Sequence, residues 1–111
     1  EPMRKTFINL NIPVTFLREG KRFVAYSPAL DLSTSGKTYE EAERRFEEAS
    51  DIFFEEIVKK GTLKDVLQNL GWDVEDKKFT APVMVGQESK SLNIPWPYDY
   101  GWDPPHKLEK I

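Results

Sequence analysis

Between Thr38 and Gly61 the chain carries every local signal of one long amphipathic helix, and that element constrains what the rest can become. Ala42, Phe46, Ala49, Phe53 and Ile57 recur at steps of four, three, four and four, which puts them on one stripe. Thr38 and Glu41 stand at the spacing of a capping box, so the start is specified. Glu40, Glu41 and Glu43 fall in the first turns, and Lys59 and Lys60 near the end, as the helix dipole favours. Gly61 supplies a terminating cap. The two alanines in the stripe predict a close approach to a sheet, and Phe46 and Phe53 are expected to be buried.

A helix with one apolar stripe needs a cover, and the flanking segments read as strands. From Phe7 to Leu17 the residues Ile8, Leu10, Ile12, Val14 and Phe16 fall on one face, with Asn9, Asn11 and Thr15 on the other. That period of two predicts a half-buried strand. Pro13 removes a ladder donor and implies an edge or a bulge. Arg18 to Lys21 forms a tight reversal, and Arg22 to Ser27 returns as a second strand. Phe23 and Ala25 face one way there, Val24 and Tyr26 the other. After Pro28, residues Leu30 to Ser35 read as a third strand, with Leu30, Leu32 and Thr34 on one side. Gly36 supplies the sharp turn into the helix.

Phe54 and Val58 lie off the stripe at ~100° per residue. A short helix from Thr62 to Leu70, capped by Thr62 and ended by Gly71, offers them a cover. The alternative is that Phe54 and Val58 belong to a subunit interface. Beyond it, Glu75 to Lys78 is a polar turn, and Phe79, Ala81, Val83 and Val85 alternate as a fourth strand, with Pro82 marking an edge. Trp72 and Val74 either open a hairpin with that strand or cap the core. The expected fold is α+β: a small antiparallel sheet in the order β-β-β-α-β, one long helix packed on it, and a short second helix. It spans residues 5–85, followed by an extended tail over residues 86–111 that is rich in proline and aromatic residues.

Composition narrows the function. A chain of 111 residues with 39% hydrophobic content builds one core. A net charge of −3 argues against general affinity for phosphate backbones and suits a basic protein partner. The absence of cysteine excludes disulfides, thiolate metal sites and a cysteine nucleophile. No apolar run reaches the ~20 residues of a membrane span, and no secretory segment opens the chain, so a cytoplasmic location is expected. Met3 reads as the natural start, with Glu1 and Pro2 added ahead of it. His106, the only histidine, has no second histidine to pair with and reads as a surface residue. No phosphate-binding loop or histidine-rich metal spacing is present, so no cofactor is expected. In the tail, Trp96, Tyr98, Tyr100 and Trp102 either fold back along a sheet edge or anchor a partner. Both hold if the tail swaps between subunits. Stacking on single-stranded nucleic acid is a third option, with few basic residues to support it.

The stretch Tyr26 to Ala42 (YSPALDLSTSGKTYEEA) resembles the signature of the HicB family, the antitoxin halves of toxin–antitoxin pairs. The resemblance covers roughly residues 5 to 80. It implies a partial ribonuclease H-like fold, with three antiparallel strands on a helix and a further strand completing the sheet. It also implies a partner, HicA, a small basic ribonuclease that uses a histidine and whose active site the antitoxin masks. An active nuclease of that fold needs carboxylates beginning on the first strand, and Phe7 to Leu17 contains none. Asp31, placed on the third strand, stands alone, so no enzymatic activity is expected. The helix-turn-helix or ribbon-helix-helix module of many relatives does not fit residues 86 to 111, whose prolines break any helical period. The expectation is therefore a non-enzymatic antitoxin without its own DNA-binding module. The alternative is a stand-alone, HicB-like oligomeric interaction module with no toxin. Trp96, Tyr98, Tyr100, Trp102, Phe54 and Val58 are the candidate partner-binding residues.

Overall fold

The computed structural model describes residues 7–75 and 78–97. Strands β1 (Thr15–Glu19), β2 (Arg22–Ser27) and β3 (Leu32–Gly36) form an antiparallel sheet in chain order. Helix α1 (Tyr39–Lys59) lies across β2 and β3, and the short α2 (Leu63–Asn69) follows. A separate two-stranded ribbon is the last regular structure among the described residues, β4 (Asp73–Glu75) against β5 (Lys78–Thr80). The architecture is α+β.

Glu19 pairs with Arg22, leaving Gly20 and Lys21 as a two-residue loop. Gly20 has φ +61° at the first central position, the place where type II′ hairpins take glycine. β2 and β3 are joined by Pro28–Asp31, closed by the Asp31 N–H to the Pro28 carbonyl at 3.3 Å. The buried Ser27 hydroxyl accepts the Leu30 N–H at 3.3 Å, and Asp31 takes the left-handed φ of +49° that asparagine and aspartate tolerate best. Leu30 therefore sits buried in a turn rather than on the third strand, which begins two residues later. Asp31 is likewise a turn residue.

Two further expectations are corrected. The alternating segment from Phe7 to Val14 is extended but joins no ladder; only Thr15–Glu19 pairs. Its partner runs out, because β2 ends where Pro28 breaks the chain. Leu10, Ile12, Val14 and Phe16 still pack against the core, so the period reported the buried face correctly. The fourth strand is three residues long and pairs with Asp73–Glu75, so it does not complete the main sheet.

The core comprises Ala25, Ala29, Leu30, Ala42, Phe46, Ile57, Leu67 and Trp72. Both helices end in the same way. Gly61 (φ +70°) follows α1, with Thr62 N–H on the Ile57 carbonyl at 2.9 Å and Gly61 N–H on Val58 at 3.1 Å. Gly71 (φ +93°) follows α2, with Trp72 N–H on Leu67 at 2.9 Å and Gly71 N–H on Gln68 at 3.0 Å. These are Schellman motifs, and Leu67 with Trp72 supply the apolar pair that accompanies them. Thr62 makes no side-chain cap; its hydroxyl turns back to the Ile57 carbonyl at 3.4 Å. The Trp72 indole donates to the buried Ala29 carbonyl at 2.8 Å, tying the end of α2 to the β2–β3 turn.

Candidate partner-binding surface

The stretch from Tyr26 to Ala42 folds as one clamp between sheet and helix. Thr34 Oγ1 donates to the Ala42 carbonyl at 2.9 Å, and Arg45 Nη1 to the Ser35 carbonyl at 2.9 Å. Thr38 Oγ1 accepts the Glu41 N–H at 3.0 Å, the first half of a capping box. Glu41 Oε1 reaches past the cap to the Lys37 N–H at 2.9 Å, so the reciprocal bond is displaced by one residue. That bond, with the Arg45 guanidinium 3.5 Å away, holds the Glu41 carboxyl below its ordinary 4.5. Tyr39 stacks on Phe16, with ring centroids 4.0 Å apart, and pins the helix start to β1.

This clamp fixes which side of α1 faces outward. Glu40, Glu43, Glu47, Asp51 and Glu55 are exposed and, among the described residues, form no ion pair. The exposed pairs Arg44–Glu48 and Lys60–Glu56 neutralise part of the same surface and contribute little stability. The outward side of α1 is thus a negative band running the length of the helix.

Val58 lies within that band and is 60% exposed. Phe54 is half-buried against the core and meets Phe53 edge-to-face, with ring centroids 5.2 Å apart. Phe53 is itself only half-buried, against the expectation of full burial, although Phe46 before it and Ile57 after it on the stripe are buried. Trp96 is half-buried. Tyr98, Tyr100 and Trp102 lie outside the described residues, as does His106. The described candidates therefore separate into a helix pair, Phe54 and Val58, and Trp96 in the tail.

Two surface clefts flank the N-terminal segment. One, of about 380 Å³, lies between residues 9–13 and 78–83, with Trp72 at its base. The other, of about 170 Å³, is bounded by Pro13, Pro28, Ala29, Pro82, Val83 and Met84. The first brings Lys78 and Thr80 to its wall with no carboxylate or histidine beside them, and the second is lined by apolar residues alone. Asp31 accepts the Tyr26 hydroxyl at 3.4 Å in an exposed turn. Among the described residues no group of three or more histidine, aspartate or glutamate side chains is placed to hold a metal ion. No described helix is long and apolar enough to cross a membrane.

Sequence reasoning placed Glu40, Glu41 and Glu43 against the helix dipole and missed the continuity of the acidic residues along α1; the signal was the Glu/Asp recurrence opposite the apolar stripe. It also missed the Trp72–Ala29 bond. No family model, no curated protein and no solved structure matches this chain.

Proposed function

We propose that this protein is a HicB-like antitoxin that binds a small basic ribonuclease toxin and occludes its active site, without catalysing a reaction itself. The observation that carries this reading is the unpaired acidic band on α1, held outward by the Thr34–Ala42 and Arg45–Ser35 bonds. Complementary potentials of this kind speed encounter and set register more than they add raw affinity. Val58 and the flank of Phe54 give that band an apolar anchor point, the combination that concentrates binding energy in a few desolvated side chains. The resemblance of Tyr26–Ala42 to the family signature supplies the class of partner. Action in the cytoplasm, where a messenger-cleaving toxin works, belongs to the same proposal.

The test is an affinity capture from host lysate, followed by an RNA-cleavage assay on the captured protein. The reading expects a stoichiometric, small, basic, histidine-containing protein whose cleavage of RNA is suppressed by adding back this chain. It also expects suppression to weaken with rising salt and with Val58→Glu. A captured ribonuclease that cleaves equally well in the presence of this chain sinks the proposal, and so does the absence of any such protein.

A second reading, a stand-alone oligomeric interaction module, draws on a different feature. Phe7, Ile8, Val83, Val85, Leu92 and Ile94 are all exposed on extended segments. Self-association without a toxin partner in the capture experiment favours it.

A further inference from the structure

The segment from Phe7 to Val14 has the sequence of a strand and no strand to pair with. It alternates with period two, yet among the described residues no backbone hydrogen bond reaches it. Residues 78–83 line the same cleft as residues 9–13, but no ladder joins the two, and β5 pairs with β4 instead. Ile8 is 67% exposed, while Leu10 and Ile12 on the same face pack on the core. An apolar row thus begins in the core and runs out into solvent.

Two features say what would complete it. Natural edge strands are blunted by charge, lysine above all. Residues 7 to 17 carry no charged side chain, in a chain that is 32% charged. Second, Ile8-Asn9-Leu10-Asn11-Ile12 reads the same in both directions. An antiparallel pairing of two copies about Leu10 sets Ile8 opposite Ile12, Asn9 opposite Asn11 and Leu10 opposite itself. Every apolar residue then meets an apolar one on one face, and every asparagine an asparagine on the other. Such an interface is isologous, as a two-fold dimer requires. The exposed Ile8 of each copy is laid beside the core-packed Ile12 of the other. Pro13 falls at the end of the paired stretch, where a missing donor costs least.

We propose that two copies of this chain dimerise by antiparallel pairing of residues 8–12 about Leu10. The proposal does not depend on the antitoxin reading, because its test uses this chain alone. Asn9 and Asn11 are exposed, so charges placed there act on pairing and leave the fold intact. The full chain is followed by sedimentation from low micromolar to near-millimolar concentration at low salt, with thermal unfolding as the fold control. The wild type is expected to dimerise with concentration. The double variant Asn9→Lys/Asn11→Lys sets like charges opposite one another twice per dimer and is expected to raise the dissociation constant about tenfold. The double variant Asn9→Lys/Asn11→Asp sets opposite charges face to face in this register and is expected to dimerise at least as well as the wild type. A wild type that stays monomeric throughout overturns the proposal. A Lys/Asp variant that dimerises no better than the Lys/Lys variant overturns it too, since a parallel register or an interface elsewhere, at Val83–Val85 for instance, predicts that result.

Discussion

At the scale of single residues, Gly36 and Glu41 hold the junction between sheet and helix. Gly36 is buried and has no positive φ, so the sharp turn expected of it is not why glycine stands there. A Cβ at this position would lie 2.7 Å from the Ala42 nitrogen and 2.8 Å from Glu41 Cβ. Backbone cannot yield there as the end of a long side chain would. Gly36→Ala is therefore expected to cost about 1–3 kcal/mol through overpacking. That exceeds the roughly 0.4–1 kcal/mol gained by restricting the unfolded chain. A urea midpoint at or above that of the wild type would refute the close-approach argument. Glu41 has a pH signature. Its folded carboxyl titrates below its ordinary 4.5, first because of the Lys37 N–H bond and then because of Arg45. Its contribution is therefore complete above that ordinary value and is lost as pH falls through the lowered one. The wild type should be more stable than Glu41→Gln at neutral pH, with the gap narrowing on acidification. Parallel stability curves for the two proteins would show that the displaced cap contributes nothing.

Among the elements, α1 separates the two phenylalanines that its stripe presents as equivalent. Phe46 is 7% exposed, and Phe46→Ala should cost about 3–5 kcal/mol. Phe53 keeps part of its ring in water, so Phe53→Ala should cost about 1–2 kcal/mol. Equal losses, read from urea midpoints, would place both rings in the same environment and contradict the packing described. The stripe, the Thr38 cap and the Gly61 terminator were legible because each is written within a few residues of where it acts. Strand length was not. The alternation of residues 7–14 continues only into Thr15 and Phe16 at the start of β1, and what divides paired from unpaired residues is the length of β2, ended by Pro28. The hairpin of Val74 with Phe79 was legible as one of two options, but the end of β5 was not, because the alternation from Phe79 to Val85 continues past Thr80, where pairing stops. The Trp72–Ala29 bond joins positions 43 residues apart and leaves no trace in any local window. The candidate surface followed the same rule. Val58 was readable as an off-stripe residue, and the acidic recurrence around it was present in the sequence too, but which of those carboxylates stay free of ion pairs emerged only in the structure.

At the scale of the whole molecule, the chain is far from compact. Its radius of gyration is 19.5 Å, against about 13 Å for a globular chain of this length. The excess goes with the extended segment beyond β5, where every described residue from Pro82 to Pro95 is exposed. Segments so placed contribute little to cooperative stability, because stability tracks buried apolar contact rather than chain length. Removing residues 95–111 should therefore leave the α+β unit folded. The chain has three tryptophans, and this truncation removes Trp96 and Trp102, leaving Trp72, which is 4% exposed, as the sole reporter. Its emission should stay that of a buried indole, and the urea midpoint should stay close to that of the full chain. Assembly or partner capture should change, because four large aromatic groups leave with the tail and such groups dominate interface energetics. Red-shifted Trp72 emission in the truncated chain would instead mean that the tail supports the Trp72–Ala29 tie and belongs to the core.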